Sequence, residues 1–499
     1  MGISDILSKV TGDKPIVLEL DMARGVLAAR PSNPLQALQL INSATLSGLR
    51  DHLRVAADDE RVVGLIVHAV PTSVTLAHAE EVAGLVEEFG TKKKTMAWAE
   101  SFGELTSGLG AYHLATAAQE IWLQPTGAVC IEGIELSVTL LKGLLNKVGV
   151  EPQFGQRYEY KTAANTYAAD HVTEPQREMT TRLGQSIVES LVGDIARRRS
   201  LSADAVWEAV NDSPIEPERA KDLGLIDHIG YRDEAYTSVL TAWGVEPESL
   251  LFAQRYSNKA ELAKKFRPKQ PKIALVQLRG AIVTGRGARS VTGGQQAGAD
   301  VVDEQLRAAL RDDDVKAVVF SVDSPGGSAV ASDFIRRSVL RLKEAGKPVV
   351  AHMESVAASG GYYVSMGANE IVAQATTLTG SIGVLAGKMV TAGLYDKLGL
   401  IRETVDIGAA AGTFSSAHEF SEADWERLNR FLDRVYLDFT TFAAADRGMA
   451  YDDLERLARG RVWTGADAKE GGLVDHIGGS ASPSSAPPRW PGSTSTRSA

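Results

Sequence analysis

Short runs of β-branched and apolar residues alternate along the chain with longer stretches of helical periodicity. The helical pattern is clearest at 332–346, where apolar residues recur at Phe334, Ile335, Val339, Leu340 and Leu342. The strand-like runs on either side of this stretch are KAVVFSV (316–322), KPVVAHM (347–353) and NEIVAQ (369–374). Strands that alternate with helices predict an α/β fold class, with largely parallel sheets covered by helices. Active groups in such folds tend to lie where strands end and helices begin.

The chain also repeats itself, with an offset that falls only from 254 to 248 residues. The matched segments are 58–71 with 312–325, 111–125 with 361–375, 146–150 with 396–400, and 220–230 with 468–478. Because few insertions separate the halves, we interpret the chain as a tandem duplication. We predict an N-terminal repeat domain at 1–255, a basic linker at 256–272, a C-terminal repeat domain at 273–478 and a Ser/Pro-rich disordered tail at 479–499.

Composition narrows the classes of function. The formal net charge of -10 argues against nucleic acid as a partner, since that partner selects basic surfaces. The single cysteine, Cys130, excludes an intrachain disulfide and a Cys-based metal site. No metal-ligand spacing and no phosphate-binding glycine loop occurs in the sequence, so no cofactor and no metal is expected. Without a secretory signal or a long apolar run, we expect a protein that is cytoplasmic or peripheral at the inner face of the membrane.

The two halves differ at two polar positions. Ser359 lies in the motif AASGG of the second half, where counting from the matched tyrosines of the first half reaches Leu109, or Ser107 after a shift of two. Conversely, ungapped counting places Lys161 of the first half opposite Ala411. Each half keeps a group that the other lacks, which indicates one composite Ser-Lys site formed by both domains.

A Ser-Lys pair has the chemistry of a nucleophile and its base. A serine hydroxyl needs an adjacent base, and an amine can serve in place of a histidine. The pKa of an exposed lysine is ~10.4, so burial must lower it to about 7–8. We expect Glu159 to face away from the amine and an apolar setting to come from Tyr160, Ala163, Ala164 and Tyr167. The alternative for Ser359 is a helix N-cap, a position that serine favours.

Two glycine motifs fit the second requirement of acyl transfer, which is a pair of backbone N–H groups that bind the developing oxyanion. Gly360 follows Ser359 directly and is one candidate. Gly326 or Gly327 in the motif DSPGGS is the other, because the missing side chains let backbone approach a substrate carbonyl. We predict an oxyanion hole formed by Gly327 and Gly360.

Five stretches, in this order along the two halves, resemble the signal peptide peptidase A (protease IV) family in its long two-domain form. They are YKTAANTY, DSPGGS, AASGGYYVSMGANEIVA, TLTGSIGV and GRVWTGADAKEGGLVD. The resemblance implies a Clp protease/crotonase-like fold, with Ser359 as nucleophile, Lys161 as base and Ser381 as the residue that orients the lysine. It also implies a bowl-shaped homotetramer that cleaves apolar peptides such as signal peptide remnants. Because the sequence shows no long apolar run, we expect membrane contact to be at most peripheral.

The sequence thus predicts a cofactor-independent serine endopeptidase whose Ser-Lys dyad is split between two homologous domains. Two other functions remain open. A crotonase-like acyl-CoA enzyme would use carboxylates near the glycine turns and give Lys161 no role. A non-catalytic assembly protein would keep the fold, with the lysine far from the serine or held charged by Glu159.

Overall fold

The chain forms two compact units. The first comprises Met1–Ile134, Val188–Pro271 and Gly478–Ala499, and the second comprises Glu135–Ile187 and Lys272–Ile477. The computed structural model describes residues 14–27, 44–71, 74–104, 106–246, 249–256, 271–287, 296–408 and 410–479. Most of the predicted linker and of the predicted tail, at 257–270 and 480–499, lies outside the described residues.

A parallel sheet forms the centre of the first unit. Its strands, numbered in chain order, are β1 (Ile16–Asp21), β4 (Val62–His68), β5 (Lys94–Ala99), β6 (Glu120–Leu123), β8 (His228–Ile229) and β9 (Leu250–Phe252). They lie in the order β8-β6-β5-β4-β1-β9. A small parallel pair joins β2 (Val26–Leu27) and β3 (Ala44–Thr45). The helices are Leu46–Ala57, Leu76–Gly90, Leu109–Ala115, Ala203–Asp212, Pro217–Asp222 and Arg232–Trp243, with short 3-10 turns at Met22–Arg24 and Ala253–Arg255.

The second unit contains a seven-stranded sheet within the described residues. Its path is β10 (Lys272–Arg279), β13 (Val315–Ser324), β14 (Val349–Ala358), β15 (Glu370–Ala373) and β19 (His476–Ile477), all parallel. Off this path, β16 (Leu378–Gly380) pairs parallel with β14 and antiparallel with β18 (Val462–Thr464). Two further pairs are parallel β11 (Ala281–Val283) with β12 (Gln296–Gly298), and antiparallel β7 (Glu151–Gln156) with β17 (Leu385–Val390).

Helices accompany this second sheet. They are Lys142–Val148, Asn165–Ala168, Ala299–Arg311, Ala329–Glu344, Gly360–Met366, Ala392–Lys397, Glu422–Arg447, Tyr451–Leu457 and Gly465–Glu470, with a 3-10 turn at Thr162–Ala164. The helix Glu174–Arg199 contains the boundary between the units. Within the described ranges, no helix combines the length and the apolar character needed to cross a membrane.

The predicted α/β fold class is confirmed, because both main sheets are largely parallel and alternate with helices. The helix predicted at 332–346 runs from Ala329 to Glu344, since the Ser328 side chain caps its first turn by accepting from the Ala331 N–H. The buried face of this helix includes Ile335, Val339 and Leu342, whereas Phe334 is 46% exposed. The apolar periodicity therefore identifies the helix, and the Ser328 cap determines the residue at which the helix begins.

The two units repeat the same side-chain contacts. Arg199 binds both carboxylate oxygens of Asp227 in the first unit, and Arg447 does the same with Asp475 in the second. Both arginines lie in 26-residue helices, Glu174–Arg199 and Glu422–Arg447. The spacing of 248 residues between these pairs is the one seen in the sequence repeat.

The compact units do not follow the predicted domain boundaries throughout. We predicted an N-terminal domain unbroken to residue 255, but residues 135–187 belong to the second unit. The physical reason is strand pairing, since β7 forms a six-residue antiparallel ladder with β17. Lys161 therefore comes from the first sequence repeat but lies in the same compact unit as Ser359.

Candidate active site

Ser359 lies at a sharp turn between a strand and a helix. Strand β14 ends at Ala358, and the helix Gly360–Met366 begins directly after the serine. Ser359 has φ 54° and ψ -116°, a backbone conformation that L-residues rarely adopt and that surrounding structure must enforce. It occupies the N-cap position, but its side chain makes no capping hydrogen bond. The N-cap alternative is therefore wrong as an account of the hydroxyl, which is left for another partner.

Ser381 follows the neighbouring strand and reaches the same edge of the sheet. Strand β16 runs parallel to β14, with Ala358 opposite Gly380. The Ser359 N–H donates to the Gly380 carbonyl at 2.9 Å, so the two serines leave adjacent strand ends. Ser381 also has a positive φ, of 51°. Because both strands end at this edge, their hydroxyls can face a common third group.

That third group, Lys161, is brought in by the pairing of β7 with β17. Gln156 at the end of β7 pairs with Leu385 at the start of β17, and the Arg157 N–H extends the ladder at 3.0 Å from the Val384 carbonyl. Since antiparallel strands place the end of one beside the start of the other, the segment after β7 reaches the turn before β17. This register brings Lys161 to Ser381, although 220 residues separate them in sequence.

The lysine amine is surrounded by three oxygens. Its Nζ lies 3.2 Å from Ser359 Oγ, 2.9 Å from Ser381 Oγ and 2.7 Å from the Ser381 carbonyl oxygen. Lys161 is only 5% exposed. This burial lowers the pKa of Lys161 from its ordinary value to about 7, because the charged form loses its hydration. The amine is thus poised to exchange a proton near neutral pH.

Two glycines contribute more to the burial of Lys161 than the side chains that we expected to surround it. A Cβ built on Gly460 would lie 2.5 Å from Lys161 Cβ, and one built on Gly383 would lie 3.2 Å from Lys161 Cδ. Of the expected apolar setting, Ala164 is buried, but Ala163 and Tyr167 are exposed, so that expectation was wrong for these two. Only side chains as small as glycine let backbone approach the lysine stem this closely.

The Glu159 carboxylate is directed to a different partner. Its Oε2 lies 3.5 Å from Nε of Arg459, and burial is what lowers the pKa of Lys161. This agrees with the expectation that Glu159 faces away from the amine. Because this carboxylate lies beside an arginine and not beside the amine, it does not hold the lysine in its charged form.

The two glycine turns meet beside Ser359. Gly327 has φ 153°. A Cβ built on Gly360 would lie 3.1 Å from the backbone nitrogen of Gly327. The Gly326 N–H already donates to Ser324 Oγ at 3.1 Å. Within the described part of the chain, the N–H groups of Gly327 and Gly360 donate to no other group. Of the two alternatives in DSPGGS, Gly327 is therefore the one with a free donor.

The sequence reading missed the residues that hold the lysine segment in place. Gly460 lies between two arginines in the stretch RGR, at the start of a motif that carried the family resemblance. Neither its φ of 84° nor its backbone contact with Lys161 can be predicted from the neighbouring residues in the sequence. The signal that could have indicated a role was the glycine itself, which lies in a turn shortly after the helix Tyr451–Leu457.

Known proteins are similar to this chain over most of its length. The model of Peptidase family S49 matches residues 84–246 and 341–483. Serine protease SPPA, chloroplastic, of Arabidopsis thaliana is 32% identical over 87% of this chain and 64% of its own length. Protease 4 of Haemophilus influenzae is 28% identical over 85% of this chain and 70% of its own length.

Among solved structures, ClpP1 from Listeria monocytogenes matches 43% of this chain and 95% of that chain. Its TM-score is 0.26 and its sequence identity 16%. The family match, by contrast, covers more than half of the sequence and includes Ser359, Lys161 and Ser381. The chain therefore belongs to Peptidase family S49.

Proposed function

We propose that this protein is a serine endopeptidase in which Ser359 is the nucleophile and Lys161 is its general base. The observation that carries the proposal is the 3.2 Å distance between Lys161 Nζ and Ser359 Oγ, at an amine whose pKa burial lowers to about 7. A general base works best when its pKa lies near the working pH and it is within hydrogen-bond reach of the proton it takes.

The contacts of the amine support this division of roles. A neutral amine has two N–H donors and one lone pair. The two oxygens of Ser381, at 2.7 and 2.9 Å, can take both donors. The lone pair then points to Ser359, so that the serine hydroxyl donates to the amine. Ser381 is in this account the residue that orients the lysine.

The reaction follows from this arrangement. Ser359 Oγ attacks the scissile carbonyl carbon as its proton passes to Lys161 Nζ, and the carbonyl oxygen becomes an oxyanion bound by the Gly327 and Gly360 N–H groups. The lysine returns the proton to the leaving amine as the peptide bond breaks. Water, deprotonated by the same lysine, then hydrolyses the acyl-enzyme and frees Ser359.

We infer apolar peptides, such as cleaved signal peptides, as substrates and a homotetramer as the assembly. The resemblance to the signal peptide peptidase A family supports both. Exposed apolar side chains in the second unit add support for assembly, since Ile401, Val405 and Ile407 are each at least 83% exposed. Apolar side chains so exposed often mark a contact surface.

The two alternative functions fit the site less well. A crotonase-like acyl-CoA enzyme gives Lys161 no role, although its amine lies within hydrogen-bond reach of Ser359. A non-catalytic assembly protein has its lysine far from the serine or paired with Glu159, whereas Glu159 lies beside Arg459.

Hydrolysis of a library of quenched apolar peptides tests the proposal. Ser359→Ala and Lys161→Ala should each remove activity, in proteins shown to be folded and assembled as the wild type. Ser365→Ala is the matched serine control, because Ser365 is fully buried in the helix that follows the nucleophile. Lys388→Ala is the lysine control, because its amine is also buried on a backbone carbonyl, that of Thr413. Activity that survives Lys161→Ala would refute the dyad.

A further inference from the structure

The lysine lies in a segment without regular secondary structure of its own, so something else must hold it against the serine. Lys161 is the central residue of an inverse γ-turn, with φ -78° and ψ 63° and a 2.9 Å bond from the Thr162 N–H to the Tyr160 carbonyl. A three-residue turn alone does not fix the position of a side chain within the tolerance that catalysis needs.

We propose that Arg459 and Arg461, on either side of Gly460, form a clamp that positions Lys161 for proton transfer. We call the three residues 459–461 the arginine clamp. The inference rests on the proposed function, in which Lys161 is the base. The arginines act through the lysine segment, so they are positioning residues.

Arg461 holds one side of the segment. Its guanidinium lies 4.3 Å from the ring centroid of Tyr160, the residue before the lysine, and is ion-paired with Glu178. Tyr160 Oη donates to the same Glu178 carboxylate at 2.7 Å. The Arg461 guanidinium also lies 4.9 Å from the ring centroid of Trp463, and its side chain is only 16% exposed. A side chain that stacks on aromatic rings and also pairs with a carboxylate needs the planar guanidinium of arginine.

Arg459 holds the other side. Its guanidinium lies 4.7 Å from the ring centroid of Tyr158, and its Nε lies 3.5 Å from the Glu159 carboxylate. Glu455, on the preceding helix, lies 3.8 Å from the same nitrogen. The Arg459 N–H also donates to Tyr436 Oη at 3.2 Å, and the rings of Tyr158 and Tyr436 are 4.8 Å apart. Both arginines therefore contact residues that directly precede Lys161.

The backbone of the clamp is tied to the turn that carries Ser381. The Ser381 N–H donates to the Arg461 carbonyl at 2.6 Å, and the Gly460 N–H donates to the Ile382 carbonyl at 2.8 Å. The clamp therefore connects the base directly to the residue that orients it. A shift of the clamp changes the distance between Lys161 and Ser381.

The carboxylates around the lysine segment lie beside the arginines of the clamp. Glu159 and Glu455 face Arg459, and Glu178 faces Arg461. Loss of an arginine releases a carboxylate close to the segment and lets water reach the amine. Both changes favour the charged lysine, so the Lys161 pKa should rise toward its ordinary value.

The test measures the Lys161 pKa directly, by competitive acylation with acetic anhydride over a pH series and mass spectrometry of the Lys161 peptide. The variants are Arg461→Ala, Arg461→Lys and Arg459→Ala in the full chain. Arg337→Ala is the matched control, because it removes an exposed ion pair with Glu344 from the same compact unit. Peptide hydrolysis and thermal unfolding are followed in the same samples.

We expect Arg461→Ala and Arg459→Ala each to lower kcat by about 10- to 100-fold, the cost of misplacing a catalytic group by up to about 1 Å, with KM changed less than about threefold. The Lys161 titration should move to higher pH in both. Arg461→Lys should recover part of the change, and Arg337→Ala should resemble the wild type.

An unchanged Lys161 titration in both alanine variants overturns the clamp, even if their thermal stability falls. This readout is independent of peptide turnover. If wild-type protein does not cleave peptides but its Lys161 titrates near 7 and shifts in the variants, the proposed function fails and the positioning inference stands.

Discussion

Gly460→Ala should displace the lysine side chain while leaving the reacting groups themselves unaltered. No atom of the reacting groups is changed. The added Cβ would lie 2.5 Å from the backbone nitrogen and Cβ of Lys161 and 2.6 Å from its Cα. Non-bonded heavy atoms prefer about 3.5–4.0 Å, so the two segments must separate by about 1 Å.

The expected loss of activity follows from that displacement. A misplacement of about 1 Å costs about 100-fold in rate, because the lysine no longer meets Ser359 in line. The alanine must also adopt the left-handed φ of 84° that Gly460 has, which costs about 1–2 kcal/mol of stability. We therefore expect kcat to fall about 100-fold and the protein to remain folded at 25 °C.

Gly448→Ala isolates the strain from the collision. Gly448 has a φ of 62° in the same compact unit, and a Cβ on it would meet no atom within 4 Å. Steady-state hydrolysis and thermal unfolding of both variants are the assay. Both should lose similar stability from strain, and only Gly460→Ala should lose activity. Equal kcat values in the two variants would refute the argument that backbone contact at Gly460 positions the base.

Three further predictions follow from the site. The rate of peptide hydrolysis should rise with pH through a midpoint near 7, since Lys161 must lose its proton before it can act; a flat pH–rate profile around that value contradicts this. The folded-state pKa of Lys161 lies below its unfolded value of ~10.4, so the unfolded state binds more protons in between. The free energy of unfolding should then rise with pH between about 7 and 10.4, and Lys161→Met should flatten this slope in urea titrations. Gly327→Ala places a Cβ 2.1 Å from the Ile282 carbonyl oxygen and displaces an oxyanion donor, so kcat should fall by about 100-fold or more; an unchanged kcat excludes Gly327 from the oxyanion hole.

The fold class, the repeat and the two main site residues could be predicted from local sequence patterns. Alternating strand-like runs and helical periods predicted the α/β class, because burial on a sheet or helix face leaves a direct trace in the order of apolar residues. The repeat was visible for the same reason, and the Ser-Gly-Gly motif showed a turn that only small residues can form. The contrast between the halves indicated that Lys161 and Ser359 belong to one site.

The tertiary structure decided where that site lies and what holds it. Strand β7 reads EPQFGQ, with a proline, a glycine and no buried residue, so nothing local predicts that it pairs with β17. That long-range ladder moves residues 135–187 into the second compact unit and brings Lys161 to the two serines. The depth of the lysine depends on backbone contacts with Gly383 and Gly460, which lie more than 200 residues away in sequence. The types of residue needed for the chemistry are thus a property of the sequence, whereas their distances and the pKa of the base depend on which backbones meet in the folded chain.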